Sequence, residues 1–178
     1  MPFNKPRKNY DEAALYHYAI GALGRRMRTV AELKRLLRAR APEGDSGEAM
    51  IDSVISMLKE RKYLNDSQYA STYSTLRRDN NRFGQGRVIT DLKVKGVHAD
   101  VIEKAVQDTF SGIDEIQQAR AFLAKKRMQK PSNDREAAKI FRALMRAGFR
   151  SGTAISVLKE WNIEDEVLTA FEEQGPGE

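Results

Sequence analysis

Arg135, Lys139, Arg142 and Arg146 follow one another at intervals of four, three and four residues. That spacing lines four cations along one face of a helix. Ile140, Phe141, Leu144 and Met145 occupy the other side. The chemistry such a face offers is attraction for an anionic surface. Lys125, Lys126, Arg127 and Lys130 lie shortly before it, with Arg120. From Ala119 to Lys159 there are 11 basic residues and two acids, Asp134 and Glu136. Ordinary solvated faces mix signs, so a block this one-sided is read as a binding face for an anionic partner. A second basic group, Arg77, Arg78, Arg82 and Arg87, is diluted by Asp79 and Asp91. Lys34 and Arg38 hold the positions in the first third of the chain that correspond to Arg142 and Arg146. From Glu160 to Glu178 the charge reverses, with seven acids and no base. That acidic end could also fold back and neutralise the basic block.

Catalytic constellations are absent from the sequence. The two histidines, His17 and His98, stand alone, inside one helix and just before another, where packing or capping is the usual role. No pair of carboxylates is forced into an apolar site, so acid/base catalysis has no candidate. With zero cysteines there is no thiolate zinc site, disulfide or cysteine nucleophile. Gly84-Gln85-Gly86 invites a phosphate-loop reading. A preceding strand and a third glycine or Lys-Ser/Thr pair are lacking, so the glycines read as a tight turn between helices. Tyr69 and Tyr73 sit at core spacing, which leaves no obvious aromatic platform for single strands. The expectation is a non-enzyme with no catalytic residue, metal or cofactor.

The elements that hold these residues repeat. Leu36, Leu92 and Leu144 each end a helix, and each is followed by a basic or polar stretch. Ile51, Ile102 and Ile155 then anchor the next helix, 51 and 53 residues apart. A near-constant period of this length signals an α-helical repeat array. Tyr16, Ile20, Leu23 and Met27 form the first apolar stripe, and Thr29-Val30-Ala31-Glu32 is a capping box that starts the next helix. Pro42 to Gly47 is a loop. Asn65 or Asp66 caps a helix with Tyr69, Ala70, Tyr73 and Leu76 as its stripe, and Val88 to Val94 is helical by its repeat context. Asn133 caps the Arg135–Arg146 helix, and Gly96 and Gly148 end helices. The reading is all-α, divided into a flexible basic arm over 1–10, three-helix repeats over 11–63, 64–111 and 112–161, and an acidic helix and tail over 162–178. Charged residues are 31% and apolar residues 40% of the 178-residue chain, with net charge +6. No apolar run approaches membrane length and the start lacks a signal-peptide core, so a cytoplasmic protein is expected.

Four stretches taken together resemble the RecX family, bacterial regulators of the RecA recombinase. They are Ala19, Leu23 and Arg26 with Thr29–Leu33; Tyr63 to Ala70; Gly84 to Ile89 with Leu92 and Lys95-Gly96-Val97; and Leu144 to Phe149. The similarity runs from about Asp11 to Trp161. Departures are Arg40, where the other two repeats have glycine, Tyr69 for phenylalanine and Asn65 for aspartate. The acidic tail lies outside the shared pattern. The resemblance implies an elongated, curved array of three tandem three-helix repeats. It implies a protein, expected to be monomeric, that binds in the groove of the RecA–DNA filament and limits filament growth, recombinase and co-protease activity. It also implies direct binding of single- and double-stranded DNA. No catalytic residue carries over. The basic face suits RecA carboxylates or DNA phosphates; the alternative is a general nucleic-acid-binding helical protein without a recombinase partner.

Overall fold

The computed structural model describes residues 10–173. Ten helices and no strand occur among them: α1 Glu12–Arg25, α2 Val30–Arg38, α3 Asp45–Glu60, α4 Asp66–Asn81, α5 Gln85–Val94, α6 Ala99–Phe110, α7 Glu115–Lys125, α8 Asp134–Arg146, α9 Ser151–Lys159 and α10 Asp165–Glu173. The all-α expectation holds. The basic arm falls on residues outside those described, except Tyr10. That residue is tied down, its N–H donating to the Arg40 carbonyl at 2.9 Å and its ring edge-on to Tyr18. Residues 174–178 also lie outside the described part.

The helices start where the caps predict. Thr29 Oγ1 accepts from the Glu32 N–H at 3.1 Å, and the Glu32 carboxylate accepts from the Thr29 N–H at 3.3 Å, a complete capping box. Asn65 Oδ1 accepts from the Gln68 N–H at 3.0 Å. Asn133 Oδ1 accepts from the Glu136 N–H at 2.9 Å. Gly96 and Gly148 follow helix ends with φ of +75° and +87°, the left-handed region that only glycine enters without strain.

The chain packs into two compact units. The first comprises the described chain up to Ala70 together with Lys93–Val101; the second comprises Ser71–Leu92 and the chain from Ile102 onward. In the first, α1, α2 and α3 pack on one another around Leu15, Ala19, Leu33, Leu37, Val54 and Leu58, all fully buried. In the second, α9 packs against α7, α8 and α10, with Phe122, Leu123, Phe141, Leu144, Val157 and Leu158 in the core. Helix α10 closes that core with buried Leu168, and Phe171 lies 5.3 Å from the Phe141 ring.

Several details differ from the sequence reading. The core face of α1 is Leu15, Ala19 and Ala22; Tyr16, Ile20 and Leu23 flank it, and Met27 lies beyond the helix end, 47% exposed. Leu76 is also outside the core, at 51% exposure. Small alanines let helices approach closely, so the buried stripe follows Ala19 and Ala22 rather than the largest side chains. The loop from Pro42 is shorter than expected, because α3 begins at Asp45 and buries Gly47 against the Pro42 carbonyl.

Gly84 and Gly86 do not serve a turn through unusual dihedrals. They permit a backbone-to-backbone approach within the second unit. The Gly84 N–H donates to the Ala147 carbonyl at 2.9 Å, and the Gly86 N–H to the Gly148 carbonyl at 3.0 Å. A Cβ on Gly84 would stand 2.4 Å from the Gly148 carbonyl oxygen, and one on Gly148 would stand 2.0 Å from the Arg87 nitrogen. The start of α5 is thereby fixed to the α8–α9 turn.

Candidate anion-binding face

Helix α8 delivers the charge because its two faces are so unlike. At about 100° per residue, Arg135, Lys139, Arg142 and Arg146 fall within an arc of about 60°. Ala137, Ile140, Phe141 and Leu144 cluster on the opposite side and are buried. All four cations are exposed, and none forms an ion pair with another described side chain. The apolar face orients α8 on the core, and that orientation turns the cations outward.

Beside this stripe the second unit carries an open hollow of about 810 Å³, within the range of ligand-binding clefts. Six cations line it: Arg87, Lys126, Arg127, Lys130, Lys139 and Arg146. Its one lining acid, Glu136, accepts from both the backbone N–H and the hydroxyl of Ser132, at 2.8 and 2.9 Å. The Ser132 N–H, then its hydroxyl, hold that carboxyl below its ordinary range. Its apolar lining includes Phe83, Phe122, Met128 and Ile140. The glycine contact described above brings Arg87, from α5, to the same hollow as Arg146, at the end of α8. Both arginines also line a second hollow of about 410 Å³, which Arg150 joins.

The structure thus unites six of the cations named from sequence: Arg87, Lys126, Arg127, Lys130, Lys139 and Arg146. Arg135 and Arg142 continue the α8 stripe outside the hollow. Most of the other nominees have structural ties. The Lys125 ammonium donates to the Asn80 carbonyl. Arg77 lies over the Tyr73 ring at 4.8 Å and donates to Asn81. Arg78 donates to the Thr109 carbonyl at 2.6 Å and pairs with Asp79 at 2.7 Å. Arg82 is exposed, with φ of +57° just past α4. Arg87 keeps a partner as well, Asp91, at 2.9 Å.

In the first unit Lys34 and Arg38 do not stand as free basic surface. Packing of α2 on α3 sets Lys34 against Asp52 at 2.6 Å and Arg38 against Glu48 through two bonds of 2.7 and 3.0 Å. These hydrogen bonds hold both carboxyls below the usual carboxylate range and raise the Arg38 guanidinium. Arg120 is likewise taken up by Glu160 through both its Nε and Nη2. The acidic end therefore reaches back to the basic block at Arg120, while the α8 stripe keeps its charge.

Phe83, Phe122 and Met128 are lining residues that sequence reasoning passed over, and Phe83 is the one beside the cations of the second group. Its signal was local: an aromatic between Arg82 and Arg87, ahead of the glycine pair. Among the described residues no group of three or more His, Asp or Glu side chains is placed to hold a metal ion. No described helix is long and apolar enough to cross a membrane.

No family model matches the chain. Among curated proteins it is similar to the regulatory protein RecX of Myxococcus xanthus (strain DK1622), 32% identical over 171 residues that cover 86% of this chain and 88% of that protein. It is similar also to the regulatory protein RecX of Leptothrix cholodnii, 32% identical over 159 residues, 89% of this chain and 93% of that protein. Among solved structures, the crystal structure of RecX from Lactobacillus salivarius shares the fold, with a TM-score of 0.70 at 22% identity, covering 85% of this chain and 97% of that one.

Proposed function

Because the chain belongs to the RecX family of regulatory proteins, we propose that it regulates the RecA recombinase and performs no chemistry of its own. It binds in the groove of the RecA–DNA filament as a monomer built of three tandem three-helix repeats, and limits filament growth in the cytoplasm. The observation that supports this reading most is the one-signed surface of the second unit. Six cations and one carboxylate, itself engaged by Ser132, line the hollow, and the α8 stripe extends it through Arg135 and Arg142. A filament that combines acidic protein surface with DNA phosphate is attracted by such a face. Lys34 and Arg38, already paired with α3, contribute less.

The test is replacement of Arg135, Lys139, Arg142 and Arg146 together by Glu. All four are exposed, so helical content is expected to be unchanged, while inhibition of RecA-dependent ATP hydrolysis and strand exchange weakens. Unchanged inhibition by a folded variant would remove the stripe from the function. Contact with phosphates predicts that affinity falls with salt, with a log–log slope near −0.9 per neutralised duplex phosphate. Contact with carboxylates predicts a shallower slope, and capture of RecA without DNA. A second reading, binding to nucleic acid with no recombinase partner, draws on the same cations. Failure to capture purified RecA at any salt concentration, with DNA binding intact, would favour it.

A further inference from the structure

The hollow in the second unit is more than a charged dent, because its lining combines cations with aromatic carbon. Phe83 is half-buried at its edge. Behind Phe83 stands Phe122, ring centroids 6.3 Å apart, and behind that Phe149, at 5.9 Å. Phe122 and Phe149 are 5% and 3% exposed. Three rings thus run from the hollow into the core, so Phe83 is held from behind and presents what surface it has to the hollow. The Arg87 guanidinium lies 5.8 Å from the Phe83 centroid and the Lys126 ammonium 5.9 Å from that of Phe122. Cations set over aromatic faces, within an open cleft roomy enough for a nucleotide, match the pattern that tracks a phosphate backbone while offering a base a surface to stack on.

We infer that this hollow takes an unpaired nucleotide of a single strand, its base against Phe83 and its flanking phosphates among Lys126, Arg127, Lys130, Lys139 and Arg146. Phe83 is then the residue that separates single strands from duplex. In a duplex the base faces are covered by their neighbours, and only the phosphates remain for the cations. The inference deepens the nucleic-acid part of the function proposed above and rests on it, but needs no recombinase.

The experiment therefore contains none. Affinity of the full-length protein is measured by fluorescence anisotropy for three labelled probes of equal length: a thymine single strand, a strand of abasic sugar phosphates, and a duplex. Stacking of one base predicts that the thymine strand binds on the order of ten-fold more tightly than the abasic strand. Phe83→Leu keeps the apolar volume and removes the ring, so it is expected to close that gap while duplex affinity is unchanged. Equal binding of thymine and abasic strands by the unaltered protein would overturn the inference whatever the variant does. A folded Phe83→Leu variant that preserves the gap would overturn the assignment to Phe83. Failure of the unaltered protein to capture or inhibit RecA, with the gap present, would count against the filament reading and support this one.

Discussion

Replacing Gly148 by alanine should be among the most damaging small substitutions in the second unit, and the structure separates its causes. Gly148 has φ of +87°, and a Cβ there would lie 2.0 Å from the Arg87 nitrogen and 2.6 Å from its Cβ. The left-handed backbone costs an L-residue about 1–2 kcal/mol. Forcing a methyl group into a packed contact costs typically about 1–3 kcal/mol. Together they give roughly 2–5 kcal/mol for Gly148→Ala. Two further glycines isolate the components. Gly112 has φ of +73° with nothing within 4 Å, so Gly112→Ala should cost about 1–2 kcal/mol. Gly84 has no positive φ, but its Cβ would meet the Gly148 carbonyl oxygen at 2.4 Å, so Gly84→Ala should cost about 1–3 kcal/mol. Urea unfolding of the three variants, followed by circular dichroism with the slope held common, measures all of them. At 2.0 Å the neighbour is backbone, which cannot swing aside like a flexible side chain. A Gly148→Ala variant no less stable than Gly112→Ala would therefore refute the close approach, and a neutral Gly84→Ala would refute it independently. Both contact variants should also weaken anion binding under conditions where they remain folded, because the contact sets Arg87 beside Arg146.

Two other outcomes follow from the first unit. Thr29→Val removes the acceptor for the Glu32 N–H and leaves the Lys95 carbonyl without the hydroxyl that donates to it at 2.7 Å. Loss of the cap and an unmet carbonyl together predict roughly 2–3 kcal/mol of destabilisation in urea titration; a loss under 0.5 kcal/mol, by order of magnitude, would be too small for a working cap. Asp66 accepts from the Val30 N–H at 2.9 Å, yet burial, the largest influence on it, raises its carboxyl above the ordinary aspartate value of 3.8. The folded state then holds its proton to higher pH than the unfolded chain, so this group's contribution is full below 3.8 and is lost as pH rises through the raised value. Asp66→Asn keeps an oxygen for Val30 and should flatten that fall while stabilising the protein at neutral pH. A stability profile with the same slope as the unaltered protein across the carboxylate range would contradict it.

The sequence made the local features legible, because their physics is local. The capping box at Thr29 and the Asn133 cap each involve residues three apart, and a four-three-four run of cations is a property of one helix. Gly96 and Gly148 were readable as helix ends for the same reason. What was hidden depends on which helix meets which. Lys34 and Arg38 look like free charge until α3 brings Asp52 and Glu48 across. Leu76 falls on an apolar stripe in sequence, yet the packed chain leaves it 51% exposed. The glycine pair at 84 and 86 was visible, but its purpose was not, since the backbone it approaches lies some 60 residues further along. Phe83 was hidden in a similar way: its setting beside α8 needs the Gly84–Ala147 hydrogen bond, which local periodicity does not encode.

The bond between Thr29 and Lys95 carries a consequence for how the protein is made. Thr29 is fully buried, and its hydroxyl finds its acceptor 66 residues later in the chain. The Lys95 ammonium also reaches back to Glu32 at 3.2 Å, and Gly96 approaches Ala31. The first unit is therefore finished by a segment that is translated after the whole of α4 and most of α5. At about 5–20 residues per second the interval is about 3–13 s. During it α2 has its own capping box but not the carbonyl and ammonium that close over it. A nascent chain stalled before Lys93 would lack the carbonyl and ammonium that close over the start of α2.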